Sequence, residues 1–538
     1  MRLMQSTQAF LFIPCLEPYP KQRSKQRSKT ETPWWLSATT TDGCLGIQGF
    51  QFDTDVLNNI NDIFHLGPTS DHSPGAIVAP ANAKPSYRNT PASSHTSPPH
   101  LRPSESEPPS QVRKVQRNIT LEPQDQEPLQ HFVTTMVRFC VLRNCEHDNL
   151  YGYILTTMGL FNESLFYAMM AWSSLHIAHL KKIPAQDAEF RYERAMCLLH
   201  QDLVESSDID VLLTTIWFLL QYELLLAKGV EKFQKLLSYT ADILKAEIKR
   251  HRTLATAKNR IGPIGSIVLV WMSARDSQAS HYGSAGRLLG FLKMYPHIYD
   301  IVDKSDVSED PIASQNWTLG PDVQDLETPQ LQACMRLSLR NQIVHGQIVL
   351  LGRWRSAAAD STSWASVLTS LEILKKEVEE ENSPAAVAAL AVSKGSLGAM
   401  PVISALGYNR LLLLASYYHC LITYQRFKPE SSLPSDDTLL EAEECALRII
   451  RIQQRVTHAR PNSPQAFWPT SLFHAAITTK DPVYQSWVVR TFQLAERWGG
   501  NLVKSRILLE NILERQARTA TSVDFVQVMK ETTGYFVV

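Results

Sequence analysis

Cysteine and histidine residues that could bind a metal ion offer the first chemistry to test. Cys140, Cys145 and His147 lie close together in "CVLRNCEHD", and thiolates and imidazoles are the ligands that zinc prefers. A structural zinc site needs four ligands, and no second Cys/His pair follows at a usable spacing. We therefore expect ordinary buried thiols here and predict no metal site.

A pair of histidines, His176 and His179, lies on neighbouring turns of one predicted helix face. Two such imidazoles could bind a metal if another element supplied a further ligand. The helix around them is otherwise apolar, which favours hydrogen-bonded structural histidines. The H-E-x-x-H motif of zinc proteases is missing from the sequence.

Two acidic residues, Glu223 and Asp276, interrupt stretches of apolar helix. A buried carboxylate needs a partner, and an arginine is the usual one. The arginines that we expect to serve are Arg275, Arg340 and Arg353. No nucleophile and base accompany the two acids, so the sequence predicts structural pairing and no catalytic residue.

Signatures of cofactor binding are also absent from the sequence. There is no G-x-x-x-x-G-K-[ST] loop, and "GSAGRLLG" (283–290) follows a helix with the wrong spacing for a dinucleotide-binding loop. Its glycines predict a turn, and we expect no cofactor. Lys+Arg and Asp+Glu both number 53, so no net field favours nucleic acid or an anionic membrane.

The elements that carry these residues are almost all helical beyond residue 128. Apolar residues recur there at three- and four-residue spacing, and few segments alternate with period two. We predict an all-α class: a large multi-helix domain of packed antiparallel helices over 128–520, with a C-terminal tail at 521–538. Besides helices around 165–180, 212–227 and 230–250, the pattern predicts helices at about 264–276, 329–352, 365–380, 403–427 and 436–456.

The first 127 residues have a different composition and are predicted to be largely disordered. Residues 67–127 form a Pro/Ser-rich linker with few large apolar residues, which cannot offset the entropy of ordering. Upstream lies the basic run "KQRSKQRSK" (21–29), which reads as a nuclear-localisation signal, as a nonspecific phosphate contact or as solvated charge. Its basic residues are Lys21, Arg23, Lys25, Arg27 and Lys29.

One apolar stretch, "VLLTTIWFLLQYELLLA" (211–227), approaches the length of a membrane span. It carries Gln221 and Glu223, so we interpret it as a buried core helix and expect no membrane contact. The eight cysteines are scattered along the chain. This distribution favours a reducing intracellular compartment over a disulfide framework.

Near the C-terminus, "WPTSLFHAAITTKDPVYQSW" (468–487) combines aromatics with helix-start signals. Trp468 and Pro469 should begin one helix, and Asp481 should cap the next. That second helix is expected to bury Val483, Trp487, Leu494 and Trp498, and to stop at Gly499 and Gly500. A last helix is predicted at 502–517.

Taken in order, these segments resemble the fungal-specific transcription factor domain, the helical regulatory region that often follows a binuclear zinc cluster. The resemblance covers about 128–517 and rests on four pieces. They are "LFYAMMAWSSLHIAHL" (165–180); the stretch 212–244 with Trp217 and Glu223; the segment 267–283 with Trp271 and Asp276; and 467–516 with Trp468, Pro469, Asp481, Trp487, Trp498 and Gly499.

This resemblance implies a nuclear transcriptional regulator that forms homo- or heterodimers with other regulators, and not an enzyme. A zinc cluster needs six cysteines within about 30 residues, whereas residues 1–127 contain only Cys15 and Cys44. DNA-binding residues are therefore unknown, and DNA contact is expected only if an upstream zinc cluster exists. Two alternatives stay open: a DNA-independent protein-interaction regulator that pairs with another transcription factor, and an enzyme with an interhelical cavity.

Overall fold

The computed structural model describes most of the chain beyond residue 118. The described residues are 119–140, 150–204, 208–250, 261–295, 329–353, 361–380, 403, 405–429, 439–461, 463–519 and 521–538. The predicted disorder of residues 1–118, with the basic run at 21–29, lies outside them. Within these ranges the regular structure is helical, without a strand, so the predicted all-α class is confirmed.

Sixteen α-helices make up the described regular structure, and five single 3₁₀ turns and one π turn accompany them. In chain order the first eight are α1 (Gln126–Thr134), α2 (Leu150–Thr157), α3 (Glu163–Lys181), α4 (Gln186–Val204), α5 (Ile209–Leu226), α6 (Glu231–Arg250), α7 (Pro263–Ser280) and α8 (Arg287–Met294). The second eight are α9 (Pro329–Arg353), α10 (Ser361–Lys375), α11 (Ala405–Phe427), α12 (Ala442–Ala459), α13 (Pro469–Thr478), α14 (Pro482–Ala495), α15 (Gly500–Thr519) and α16 (Phe525–Thr532).

Helix α3 is the centre of the N-terminal half and packs against α1, α4 and α5. It starts at Asn162, whose side chain accepts a hydrogen bond from the N–H of Leu165 at 3.0 Å, as an N-cap does. It ends at Lys182, which adopts the left-handed conformation with φ of 54°. The short connection to α4 favours an antiparallel pair.

Helix α5 is buried on nearly every face, as the sequence predicted for this apolar stretch. Its length and composition alone would let it cross a membrane, and no other helix in the described ranges meets that test. However, 78% of it is buried inside the protein, which is typical of a core helix. It ends at Ala227, and the break at Gly229 with φ of 138° leads into α6.

Helices α7, α9, α11, α12 and α13 form a second run of neighbours. In this run α7 packs on α9, α9 on α11, and α11 on both α12 and α13. Contacts between α5 and α7 join it to the first group. The buried apolar side chains form one continuous core from Ile119 to Val538. Histidines on or next to α7, α9, α11 and α13 therefore enter the same interior.

The C-terminal helix α14 begins as predicted but buries a different face. Asp481 caps it by accepting the N–H groups of Val483 at 2.8 Å and Tyr484 at 3.4 Å. The predicted face is wrong because Val483 and Leu494 are 74% and 64% exposed. The side chains that α14 buries completely, or nearly so, are Val488, Phe492 and Ala495. The aromatic residues Trp487 and Trp498 are only half-buried.

Both ends of the packed domain extend beyond the predicted boundaries. Ile119 donates its backbone N–H to the carbonyl of Leu160 at 3.0 Å, and Asp125 is buried, so packing begins inside the predicted linker. At the other end, the segment 521–538, expected to be a tail, contains α16 and buries Phe536 and Val538. Alternating polar residues hid the apolar face of α16 from the sequence reading.

Candidate functional site

The metal-binding candidates taken from the sequence have structural roles in the residues that the structure describes. Cys140 is buried, while Cys145 and His147 lie outside the described residues. His176 is hydrogen-bonded through Nδ1 to Nε2 of His131 at 2.8 Å. His179 points elsewhere, and its Nε2 donates to the carbonyl of Glu496 at 2.8 Å. The two imidazoles therefore do not converge on one ion.

The tryptophans of the resemblance, Trp217 on α5 and Trp271 on α7, meet in the core. Their ring centroids are 5.1 Å apart, and Tyr151 packs edge-on to Trp271 at 5.9 Å. Trp217 donates its indole N–H to the hydroxyl of Tyr151 at 3.0 Å. Trp217 is buried with its indole N–H paired, and Trp271 is partly buried against it. They fix the contact between α5 and α7.

Glu223 lies near the end of α5 and is buried beside Tyr192. Burial raises the pKa of its carboxyl, while a hydrogen bond from Tyr192 and the charges of Lys232 and Lys228 act in the opposite direction. A tyrosine and two lysines thus take the place of the expected arginine. This arrangement holds α4 against α5.

Asp276, in the middle of α7, holds the start of α8. Its carboxylate accepts hydrogen bonds from the hydroxyl of Ser284 at 3.1 Å and the N–H of Leu289 at 3.0 Å. Of the arginines expected as partners, Arg275 contacts Gln278 at 2.8 Å and Arg340 contacts Glu377 at 2.5 Å. The N–H groups at the start of a helix can pair a buried carboxylate in place of an arginine, because the first turn of a helix has unpaired donors.

Trp468 and Pro469 open α13, as the sequence indicated. The indole N–H of Trp468 donates to the hydroxyl of Tyr408 at 2.9 Å and to the carbonyl of Gln465 at 3.1 Å. Its backbone N–H donates to the side chain of Gln453 at 3.2 Å. These bonds anchor the connection between α12 and α13 to α11.

The glycine pair before α15 permits a close approach to α5. A Cβ on Gly500 would lie 2.9 Å from the carbonyl oxygen of Leu225, and one on Gly499 would lie 2.7 Å from Asn501 Oδ1. Gly499 itself has φ of 166°, which any residue can adopt. Space, and not backbone strain, is therefore the reason for glycine at these positions.

Four buried histidines form a cluster that the sequence reading did not find. The histidine cluster, as we call it, comprises His281 after α7, His345 on α9, His419 on α11 and His474 on α13. The ring centroids of His419 and His474 are 4.4 Å apart, and those of His281 and His474 are 4.9 Å apart. Phe525 of α16 closes one side, with its ring 5.1 Å from that of His474.

Hydrogen bonds hold one member of the cluster in a fixed position. His345 contacts the hydroxyl of Ser277 through Nδ1. Its Nε2 lies 3.1 Å from the hydroxyl of Thr423 and 3.2 Å from Nε2 of His281. By contrast, one buried nitrogen on each of the other three rings has no hydrogen-bond partner. Those atoms are His281 Nδ1, His419 Nε2 and His474 Nε2.

Burial keeps these imidazoles neutral. Desolvation lowers the pKa of His345 to about 3, and it moves the pKa values of the other three well below the ordinary range. Neighbouring imidazoles and the guanidinium of Arg426 lower them further. The cluster is therefore a set of neutral nitrogen donors at neutral pH.

This cluster was hard to predict because its members are far apart along the chain. Each stands alone in an apolar helix or just after one, as in "IVHGQ", "YYHCL" and "LFHAA", where a single histidine predicts a structural role. Only the packing of α7, α9, α11 and α13 brings them together. An isolated histidine on a buried helix face was the one available signal.

A groove on the surface offers a second place for binding. It has a volume of about 540 Å³ and lies between the ends of α3 and α5 and the start of α15. Apolar side chains line most of it, including Ile183, Leu226 and Val503, with Lys182 and Arg497 among its charged residues. This volume is within the roughly 300 to 1,000 Å³ of small-molecule sites.

Comparison with known protein families gives a match over most of the chain. The model of a family described as the fungal specific transcription factor domain matches residues 127–538. This range includes all of the helices from α2 to α16 and nearly all of α1. Neither a curated protein nor a solved structure matches the chain significantly.

Proposed function

Because this chain belongs to the fungal-specific transcription factor domain family, we propose that it is a nuclear transcriptional regulator of the zinc-cluster type. Its helical domain is the regulatory and dimerisation part of that regulator. The observation that carries the proposal is the family match over 127–538, which spans the helical domain nearly from end to end. A transcription factor family also argues against the alternative of an enzyme with an interhelical cavity.

Contact with DNA is assigned to a zinc cluster outside this sequence or to a partner chain. A binuclear cluster uses six cysteines close together to hold two zinc ions, and the eight cysteines here are dispersed from Cys15 to Cys445. The chain carries no net charge at pH 7, so it has no general attraction for the phosphate backbone. Dimerisation would therefore decide which DNA the regulator reaches.

Regulation is proposed to act through the groove between α3, α5 and α15. Ile183 and Leu180 are 52% and 45% exposed at its edge, and such apolar surface is suited to an effector or to a partner segment. The groove joins an N-terminal helix pair to the C-terminal helix α15. An effector or partner segment bound in the groove would therefore contact both halves of the domain.

A reporter assay tests the proposal directly. The full chain is fused to an unrelated DNA-binding domain and expressed in a fungal host with a matching reporter gene. We expect reporter transcription to change at least several-fold relative to the DNA-binding domain alone, and the fusion to self-associate or to recover a second regulator in cross-linking. An unchanged reporter, with the fusion expressed and bound at its site, would contradict a role in transcription.

Nuclear entry is tested separately through the basic run. A fluorescent fusion of the full chain should accumulate in the nucleus, and replacing Lys21, Arg23, Lys25, Arg27 and Lys29 by alanine should reduce that accumulation. The matched control replaces Arg252, Lys258 and Arg260 (252–260), which form another basic segment. Equal loss of nuclear signal in both variants would argue against a localisation role for the first run.

A further inference from the structure

We infer that His281, His419 and His474 form a binding site for one divalent transition-metal ion of the Zn²⁺ class. Each of the three rings offers one nitrogen, and these nitrogens all lie within 4.8 Å of one another. Zinc binds imidazole at about 2.0 to 2.1 Å, which puts two nitrogens of a tetrahedral site about 3.4 Å apart. The rings therefore need only small rotations to close around an ion.

The unpaired nitrogens of the cluster are the independent sign of a ligand. His281 Nδ1, His419 Nε2 and His474 Nε2 are buried and have no hydrogen-bond partner. A buried polar atom without a partner carries a desolvation cost, and such atoms are uncommon in folded proteins. The three rings also converge with one nitrogen each, so one cation between them, reached by flipping a ring where needed, would satisfy these atoms at once. Imidazole binds metals in its neutral form, which is the form that burial favours here.

The fourth histidine supports the site as an orienting partner. His345 contacts His281 through its Nε2, at 3.2 Å from His281 Nε2, and so leaves Nδ1 of His281 for the ion. His345 is itself held by Ser277 and by Thr423. Histidines that bind metals commonly use the second ring nitrogen in a hydrogen bond that fixes their orientation.

One nearby positive charge opposes the binding of a cation, so a variant that removes this charge tests the inference. Arg426 Nη1 lies 3.5 Å from His474 Nδ1. Its guanidinium stacks on Phe525, at 5.4 Å from the ring centroid, and the charge of Asp524 favours its protonated form. Tyr282, whose ring centroid lies 6.1 Å from that of His281, is a further titratable group beside the cluster. Metal binding must therefore move the guanidinium away from His474 or tolerate its charge.

A comparison inside the same protein separates a site from buried histidines in general. His131 and His176 are also paired, with nitrogens 2.8 Å apart, and His176 Nε2 is also unpaired. That pair offers two rings that already bond to each other, so it has too few free nitrogens for a stable site. His176→Gln is therefore a control for the loss of one buried imidazole.

The experiment uses the full chain, purified without a polyhistidine tag and stripped with a chelator. Titration with Zn²⁺ should show one tight equivalent by elemental analysis and raise Tm by several degrees, since an ion that binds the folded state stabilises it. Co²⁺ should give the visible bands of a nitrogen site without the strong near-ultraviolet absorption of thiolate ligands. The absence of a tight equivalent, or a thiolate spectrum, would overturn the inference.

Variants place the ion in the cluster. His474→Gln and, separately, His419→Gln should each weaken Zn²⁺ binding by more than the roughly 10- to 100-fold seen when an orienting partner is lost, while His176→Gln should not. Arg426→Met should strengthen Zn²⁺ binding by at least about tenfold, because it removes a positive charge next to the ion. Unchanged binding in both histidine variants would contradict this site, and so would weaker binding in Arg426→Met. Because Arg426→Met keeps all three histidines, its result can be interpreted even if the histidine variants fail to fold.

Discussion

The carboxylate of Asp276 on α7 accepts the backbone N–H of Leu289 at 3.0 Å and so caps a helix other than its own. The turn between the two helices contains Gly283 and Gly286, with φ of 109° and 59°. These left-handed conformations let the chain reverse so that α8 starts against α7. The predicted turn at "GSAGRLLG" is confirmed, and an acidic side chain fills the place where a phosphate would bind a helix N-terminus.

The first prediction is that Asp276→Ala destabilises the fold by about 2 to 4 kcal/mol, because it leaves two buried donors without an acceptor. Ser284→Ala removes one of these donors with its bond and should cost about 1 kcal/mol. Urea unfolding of the full chain measures both. Equal losses in the two variants would show that the helix start does not depend on the carboxylate.

The second prediction concerns the buried ion pair of Asp125 and Arg191, which joins the segment before α1 to α4. Arg191 also donates to Asp187 at 2.9 Å and to the carbonyl of Gln124 at 2.9 Å. Asp125→Ala leaves the buried guanidinium with only the exposed carboxylate of Asp187, so it should reduce the free energy of unfolding by about 3 kcal/mol, the lower end of the cost of breaking a buried pair.

An exposed ion pair nearby in the chain, between α1 and α3, provides the control for that measurement. Glu127 pairs with Lys181, and both side chains are more than half exposed. Glu127→Ala should cost no more than about 1 kcal/mol because water screens such pairs. If Asp125→Ala cost as little as Glu127→Ala, the segment from residue 119 would not be part of the cooperative unit.

The helices, their class and several helix ends were predictable from sequence because local rules decide them. Asp481 with Pro482 marks the start of α14, and the break at Gly229 separates α5 from α6. Faces were harder to predict. Along α14, apolar residues point in several directions, and the contacts with α13 and α15 decide that Phe492 is buried and Leu494 is exposed.

The histidine cluster could not be predicted from the sequence, for a different physical reason. His281 and His474 belong to elements separated by most of the C-terminal half, and no local pattern links them. Spacing rules detect only residues that are close in the sequence, such as His176 and His179. Tertiary packing instead sends these two rings to different partners, His131 and the carbonyl of Glu496.

The third prediction concerns the stability cost of losing an aromatic ring on α14. Phe492 is fully buried, so Phe492→Ala should destabilise the protein by about 3 to 5 kcal/mol. Trp487 is half-buried, so Trp487→Ala should cost less, below about 3 kcal/mol. Thermal unfolding of both variants measures which substitution costs more stability. A larger loss of stability for Trp487→Ala would show that α14 packs a different face against the core.

The fourth prediction is a pH dependence that comes from Asp210. This buried carboxylate on α5 accepts the N–H of Gly262 at 2.7 Å, at the start of α7. Burial raises its pKa to about 6 from the ordinary 3.8, although hydrogen bonds from Gly265 and Gly262 act to lower it. The folded protein therefore binds a proton between pH 4 and 6 that the unfolded chain does not bind.

The sign of this linkage is a loss of stability as the pH rises. The contribution of Asp210 is most favourable below about pH 4, falls by about 3 kcal/mol through this window, and is constant above it. Asp210→Asn cannot titrate, so the difference in unfolding free energy between wild type and variant should change by most of that amount, about 2 to 3 kcal/mol, from pH 4 to pH 7. A difference that is independent of pH would show that the carboxyl titrates normally.

The last prediction separates binding in the surface groove from stability. Ile183 is 52% exposed and lines the groove, whereas Phe190 on α4 is 63% exposed and is not among the residues that line it. Charging an exposed side chain changes stability by only about 0.5 kcal/mol, so Ile183→Glu and Phe190→Glu should both keep the wild-type Tm. In the reporter fusion, only Ile183→Glu should alter transcription, because a carboxylate in an apolar groove opposes the burial of apolar surface by an effector or a partner. If both variants matched wild type in the reporter, regulation would not pass through this groove; if both lost activity equally, exposed apolar surface in general, and not this groove, would be responsible.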